Sequence, residues 1–253
     1  MPLQTRHGFT LIELSIVLVI IGLVVGGVLV GRDLIKAAEI RAAASQLQQF
    51  ETSYNAFRLK YNCIIGDCPN ATDFFGMNYI VAGNCPPSGG AGNGNGNGDG
   101  FIDQSSGSTS DGTWHCEPIQ ARQSLYLSGL LPTAHTTPCS SSTMYFKGIN
   151  DSCAYFFKDD GVYSGTAPIK INGMHWANYT TANSGQINVG ALSPVQARLI
   201  DEKLDDEKPA TGKFRGMDAA PMSTGVVVAN SCVTSGVYNL NEDYTCRSLY
   251  YFK

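Results

Sequence analysis

Three groups of residues in this chain have types and spacings that could do chemistry. The first turns on one carboxylate: Glu13 stands at the start of an uncharged apolar run, Leu14 to Gly31, just after Gly8-Phe9-Thr10-Leu11-Ile12. An acidic side chain at membrane depth costs on the order of 2.5 to 3.5 kcal/mol, less near the interface. Glu13 therefore either sits solvated at headgroup level or meets a cation. Cleavage after Gly8 would create that cation, a free amine on Phe9, four residues away and near Glu13 on one helical face. The same amine and carboxylate could also pair between neighbouring subunits.

The second group is eight cysteines, Cys63, Cys68, Cys85, Cys116, Cys139, Cys153, Cys232 and Cys246, all downstream of the apolar run. Their even number and one-sided placement point to an oxidising compartment and a disulfide framework. No C-x-x-C occurs, which disfavours zinc. Sequential pairing is the expectation: Cys63 with Cys68, Cys85 with Cys116, Cys139 with Cys153, Cys232 with Cys246.

The third group lies in a stretch rich in Gly, Asn and Pro, residues 86 to 100. It reads either as a surface loop or as a calcium loop. Asn95, Asn97, Asp99, a turn at Gly100, the Phe101 carbonyl and Asp103 follow the first nine positions of an EF-hand-type loop, but position twelve falls on Ser106 instead of a bidentate Glu. Asp111 or Glu117 would have to complete it. Such a site would bind weakly, in the range of about 10⁻⁴ to 10⁻³ M. No other metal or cofactor is required.

Catalysis finds little support, because the histidines, His7, His115, His135 and His175, lack a partnered nucleophile. The chain has no Gly-x-Ser-x-Gly, phosphate loop or His-Glu-x-x-His. A net charge of -4 gives no general attraction for nucleic acid. With 43% hydrophobic and 15% charged residues, a packed domain on a membrane segment fits better than disorder.

The elements that position these groups follow from periodicity. About 18 to 20 helical residues from Leu14 approach the ~30 Å hydrocarbon thickness of a bilayer. Beyond Arg32 the helix continues as an amphipathic stripe of Ile40, Ala43, Leu47, Phe50, Tyr54, Phe57 and Tyr61. Asn62 and Gly66-Asp67-Cys68-Pro69 end it. The stretch 117 to 131 predicts a short helix with Pro118 early, Leu125 and Tyr126 packed, and Gly129 near its end. Runs at 154–157, 169–171, 175–180, 225–228 and 247–252 predict antiparallel strands. Ser193-Pro194-Val195-Gln196 predicts a capped helix with Ala197, Ile200 and Leu204 buried. Asp201, Glu202, Asp205 and Asp206 are expected on its solvated face, the alternative being a metal site.

The run Gly8-Phe9-Thr10-Leu11-Ile12-Glu13-Leu14 resembles, at every position, the processing motif of type IV prepilins and type II secretion pseudopilins. The resemblance implies that a membrane aspartyl peptidase cuts after Gly8 and methylates Phe9, and that Glu13 guides subunits into a filament. Two further stretches, 54–76 and 197–206, resemble a subset of pilin-like proteins with larger heads. The implied fold is α+β: a long N-terminal helix packed on an antiparallel sheet with short extra helices and disulfide-closed loops.

The expected organisation is a leader (1–8), a transmembrane and polymerisation helix (9–31), its amphipathic continuation (32–62) and a periplasmic or extracellular head (63–253). The expected partners are other pilin subunits, the peptidase, an inner-membrane assembly platform and, before assembly, membrane lipid. The leading reading is a minor pilin, stored in a bacterial inner membrane with its head in the periplasm and then packed into a fibre. The alternatives are a type II secretion pseudopilin and a membrane-tethered adhesin or binding module.

Overall fold

A computed structural model describes residues 9–76, 95–96, 98–102, 116–131, 146–147, 153–159, 171–177, 190–219, 228–241, 243 and 245–252. The chain divides into two compact units, Met1–Arg41 and Ala42–Lys253. Helix α1, Leu11–Tyr61, is 51 residues long and so about 77 Å at 1.5 Å per residue. It contributes to both units.

In the second unit the helix buries the expected stripe: Ala43, Leu47, Phe50, Tyr54 and Phe57 are each at most 5% exposed. Positions three and four apart share a helix face, so the stripe packs as one row. Phe50 meets Phe156 edge-on at 6.0 Å, and Tyr54 stacks on Phe252 at 4.7 Å. Glu51 lies beside this row and accepts from Lys213 Nζ and from the Tyr250 hydroxyl, both at 2.7 Å. The helix stops where Asn62 takes a φ of 54°.

The sheet beneath contains β1 (Phe146–Lys147), β2 (Cys153–Asp159), β3 (Ile171–Ala177), β4 (Phe214–Asp218) and β7 (Cys246–Tyr251), in the order β1-β2-β3-β7-β4. Every neighbouring pair is antiparallel. Strand β7, latest in sequence, lies inside the sheet with Met174 opposite Tyr250 on one side and Phe214 opposite Tyr250 on the other. Five of its six residues are buried, as suits an interior strand. The hairpin β5 (Val233–Thr234) and β6 (Val237–Tyr238) forms a separate small sheet. Strands β4, β5 and β6 carry too few alternating apolar residues to be read from sequence.

Helix α2 spans Ala71–Phe75 and α3 spans Cys116–Leu127. Leu125 is fully buried on α3, but Tyr126, expected to pack, is 52% exposed; one residue turns a side chain about 100° around a helix. Helix α4, Pro194–Leu204, opens with the expected capping box: Ser193 Oγ accepts from Gln196 N at 3.2 Å, and Gln196 Oε1 accepts from Ser193 N at 3.0 Å. One expectation for α4 is wrong. Asp201 is not on the solvated face but fully buried, four residues after Ala197 and therefore within the stripe that packs. The Tyr238 hydroxyl donates to its Oδ2 at 2.8 Å.

Candidate functional site

The N-terminal segment is built by helix α1 and capped by two of the residues that carry the sequence motif. Thr10 N and Thr10 Oγ1 donate to Glu13 Oε2 at 2.8 and 2.7 Å, and Glu13 N donates back to Thr10 Oγ1 at 3.3 Å. This is a capping box, in which two otherwise unpaired N–H groups of a first helical turn are satisfied reciprocally. The carboxylate also lies where the helix dipole favours negative charge. Thr10 was missed in the sequence reading, although the Thr-x-x-Glu spacing before an apolar run is the signal for it.

Downstream of this cap the apolar side chains have no cover within the chain. Leu11 is 87% exposed, and every Leu, Ile and Val from Ile12 to Val30 is more than half exposed. An 18-residue window of this helix reaches a mean hydropathy of 2.9 with none of it buried. Each such side chain left in water forgoes roughly 1.5 to 3 kcal/mol of burial, so the segment presents an apolar surface that favours an apolar partner. Gly8 lies outside the described residues; Phe9 is described and 88% exposed.

Two of the expected disulfides are present. Cys63–Cys68 closes the turn after α1 with a Cα separation of 5.2 Å, and Cys232–Cys246 closes the loop before β7 with 4.9 Å. Cys85 and Cys139 lie outside the described residues, and the side chains of Cys116 and Cys153 do too.

Around the second disulfide, Asp218 is the organiser. Its Oδ1 accepts from Cys232 N at 2.8 Å and Val233 N at 3.1 Å, and its Oδ2 from Asn230 N at 2.7 Å. On the far side, Thr245 Oγ1 donates to the Ser231 carbonyl at 2.9 Å. The hairpin held this way presents Val237 and Leu240, 64% and 78% exposed.

Around the first disulfide, Asp67 is buried and receives the Gly-Asn loop. Gly98 N donates to its Oδ1 at 2.5 Å and Gly100 N to its Oδ2 at 2.7 Å. Burial pushes the Asp67 carboxyl above its usual range; these N–H donors oppose the shift and the charge of Asp99 adds to it. Of the residues expected to bind calcium, Asn95 Oδ1 accepts from Thr72 N at 2.9 Å, and Asp99 Oδ1 accepts from Phe101 N at 2.9 Å. Asn97 and Asp103 lie outside the described residues, as do Ser106 and Asp111, while Glu117 is buried at the start of α3. A cleft of about 270 Å³ opens between the end of α1 and this loop, lined by Arg58, Asn62, Asp67, Pro69 and Gly98 among others.

Of the histidines, His7, His115 and His135 fall outside the described residues, and His175 lies in β3 opposite Tyr155 and Leu249.

Residues 3–29 match the family model for the prokaryotic N-terminal methylation motif, the signature of type IV pilins and pseudopilins. The match covers the N-terminal segment alone, which forms the apolar first part of a long helix joined to an α+β head. No curated protein and no solved structure matches it.

Proposed function

We propose that this protein is a minor pilin of a type IV pilus-like filament, cut after Gly8, methylated on Phe9 and held in the inner membrane by residues 9–31 until assembly. The observation that carries the reading is the exposed apolar helix beginning at the Thr10–Glu13 cap, directly after the methylation motif. In the membrane, lipid covers this surface. In a filament, neighbouring copies of such helices replace the lipid at little cost in apolar burial, so specificity must come from polar groups. Glu13 is the one acidic group in the segment, and the Phe9 amine released by cleavage lies next to the residue that already holds its carboxylate. Docking then exchanges the Thr10 bonds of Glu13 for, or shares them with, an incoming amine. The elaborate head, with its disulfide-closed loops, favours an occasional specialised subunit over the main building block.

Mass spectrometry of the membrane-extracted protein tests processing: with a prepilin peptidase present, the N-terminal peptide should begin at Phe9 and carry one added methyl group. A Gly8→Val chain should keep its leader. Immunolabelling of sheared surface fibres tests the destination. Label confined to the cell envelope, together with failed release of folded secreted enzymes in a deletion strain, would assign the protein to a type II secretion pseudopilus instead.

A further inference from the structure

Helix α4 packs on β4, β6 and β7, and its last turn meets β6 and the turn into β4 through one buried carboxyl group. Asp201 is fully buried, and its Oδ2 takes the Tyr238 hydroxyl of β6 at 2.8 Å. No N–H or hydroxyl group reaches its Oδ1. The Asp201 side chain instead shares a hydrogen bond with the Asp205 carboxyl one turn later. Two carboxyl groups can share a hydrogen bond only if one carries a proton, and like charges so close do not both ionise.

The surrounding donors decide which group keeps the proton. Asp205 Oδ1 accepts from Asp206 N at 2.9 Å, and its Oδ2 accepts from the backbone N–H groups of Lys213 and Phe214. Asp205, exposed on its outer side, is therefore the anion. Asp201, buried with a single further donor, is the acid. Gly212, at φ +74°, leaves no room for a Cβ against the Asp205 carboxylate, and Gly216 leaves none against the Tyr238 ring, so the backbone is committed to this arrangement.

The charged groups on the packed elements are engaged elsewhere. On α4, Arg198 pairs with Glu207 at 2.9 Å, Glu202 and Lys203 are exposed, and Asp206 next to the pair takes Lys208 N and the Thr211 hydroxyl. Before β4, Lys213 pairs with Glu51 of α1 at 2.7 Å; on β4, Arg215 lies over the Tyr251 ring and Asp218 takes the N–H groups of Asn230, Cys232 and Val233. On β7, Tyr250 donates to Glu51 and Arg247 Nε to the Asp218 carbonyl. Among the described residues no cation pairs with Asp201 or Asp205.

We propose that α4, the turn into β4 and the β5–β6 hairpin are latched together by one proton shared between Asp201 and Asp205, and that the hairpin loosens from α4 when alkaline surroundings remove it. Burial, and after it the hydrogen bond to Asp205, push the Asp201 carboxyl up to about 8; the Tyr238 donor opposes this, and the charges of Asp205 and Asp206 add to it. Burial alone would raise Asp205 too, but the Asp201 hydrogen bond and the N–H groups of Asp206, Phe214 and Lys213 hold it below its usual range. Burial and the Asp201 carboxyl push Tyr238 upward, so the proton that leaves is the one on Asp201.

An aspartate in the unfolded chain ionises at about 3.9. From there up to about 8 the folded chain holds a proton that the unfolded chain has lost, so stability falls as pH rises and levels off once Asp201 ionises. Above that point a buried charge faces the Asp205 carboxylate across the latch. The hairpin that carries the exposed Val237 and Leu240 is the part set free. The latch is independent of the filament reading.

The test uses the full oxidised chain in detergent micelles with chelator present. At about pH 5 the Asp201→Asn chain should match the parent in urea midpoint, because a carboxamide can both donate to Asp205 and accept from Tyr238. As pH rises to about 8, the folding constant of the parent should fall relative to that of the variant by up to about tenfold per pH unit. Amide exchange in the hairpin should quicken in the parent relative to the variant over the same range. An infrared carboxylic-acid band should be present in the folded parent at neutral pH and missing from Asp201→Asn. Tyr238→Phe removes a donor that favours the ionised form, so the band should persist to higher pH in that variant. Parallel pH profiles for parent and Asp201→Asn overturn the proposal. So does an acid band that survives Asp201→Asn, or one that titrates unchanged in Tyr238→Phe.

Discussion

At the scale of single residues, Thr10 and Glu13 show how a polar group is tolerated at the edge of an apolar helix. The carboxylate satisfies helix donors that would otherwise stay unpaired, so its presence is less costly than the residue alone suggests. Glu13→Gln should therefore insert normally but fail to enter filaments, measured as the ratio of membrane-bound to fibre-bound subunit; normal incorporation would remove the pairing role. Thr10→Val should reduce incorporation less, because the Thr10 backbone N–H still donates. Gly66 makes a different point: at φ +79° its missing Cβ leaves space that the Glu117 carbonyl and Ala121 of α3 occupy. Gly66→Ala should destabilise the head by roughly 2 kcal/mol or more through strain and displacement, read as a lower midpoint in urea unfolding. The role of Gly66 as a turn residue was legible in sequence; its contact with α3 was not, because tertiary closeness leaves no periodic signal.

Elements were legible in proportion to their period. Helix α1 declared itself through a long apolar run and then a three-four stripe, and α4 through its Ser-Pro-x-Gln opening. Strand β4, Phe214–Asp218, has an Arg, a Gly and an Asp among its five residues and gave no alternation to read. Its place is set by pairing with β7 instead. Asp201 was misread for a related reason: acidic residues are rarely buried, so composition outvoted a spacing that put it on the packed face. The loop from Cys232 to Cys246 was legible as a disulfide unit, but Asp218, which organises it from β4, was not. Reducing or replacing this disulfide, which spans a sequence separation of 14, should cost about 3 kcal/mol on the loop-closure estimate. Asp218→Ala should mimic part of that loss by releasing the N–H groups of Asn230, Cys232 and Val233, detectable as faster amide exchange confined to the loop.

For the whole molecule, the division at Arg41 and Ala42 separates a unit whose apolar side chains are mostly exposed from one with its own core. A chain starting at Arg32 keeps the whole buried stripe of α1. It should fold as a soluble, cooperatively melting domain with its melting temperature within a few degrees of the full chain in detergent. A large drop would show that the apolar half of the helix contributes to the head's stability.

The position of β7 bears on the order of events during folding. Strand β7 follows the other strands in sequence, yet it lies inside the sheet between β3 and β4. Without Cys246 to Tyr251, β3 and β4 have no strand between them, Glu51 lacks its bond from Tyr250, and Cys232 lacks its disulfide partner. A chain clipped before Thr245 would thus have a head unable to close its sheet. Such a chain should be cut by protease under conditions in which the full chain resists.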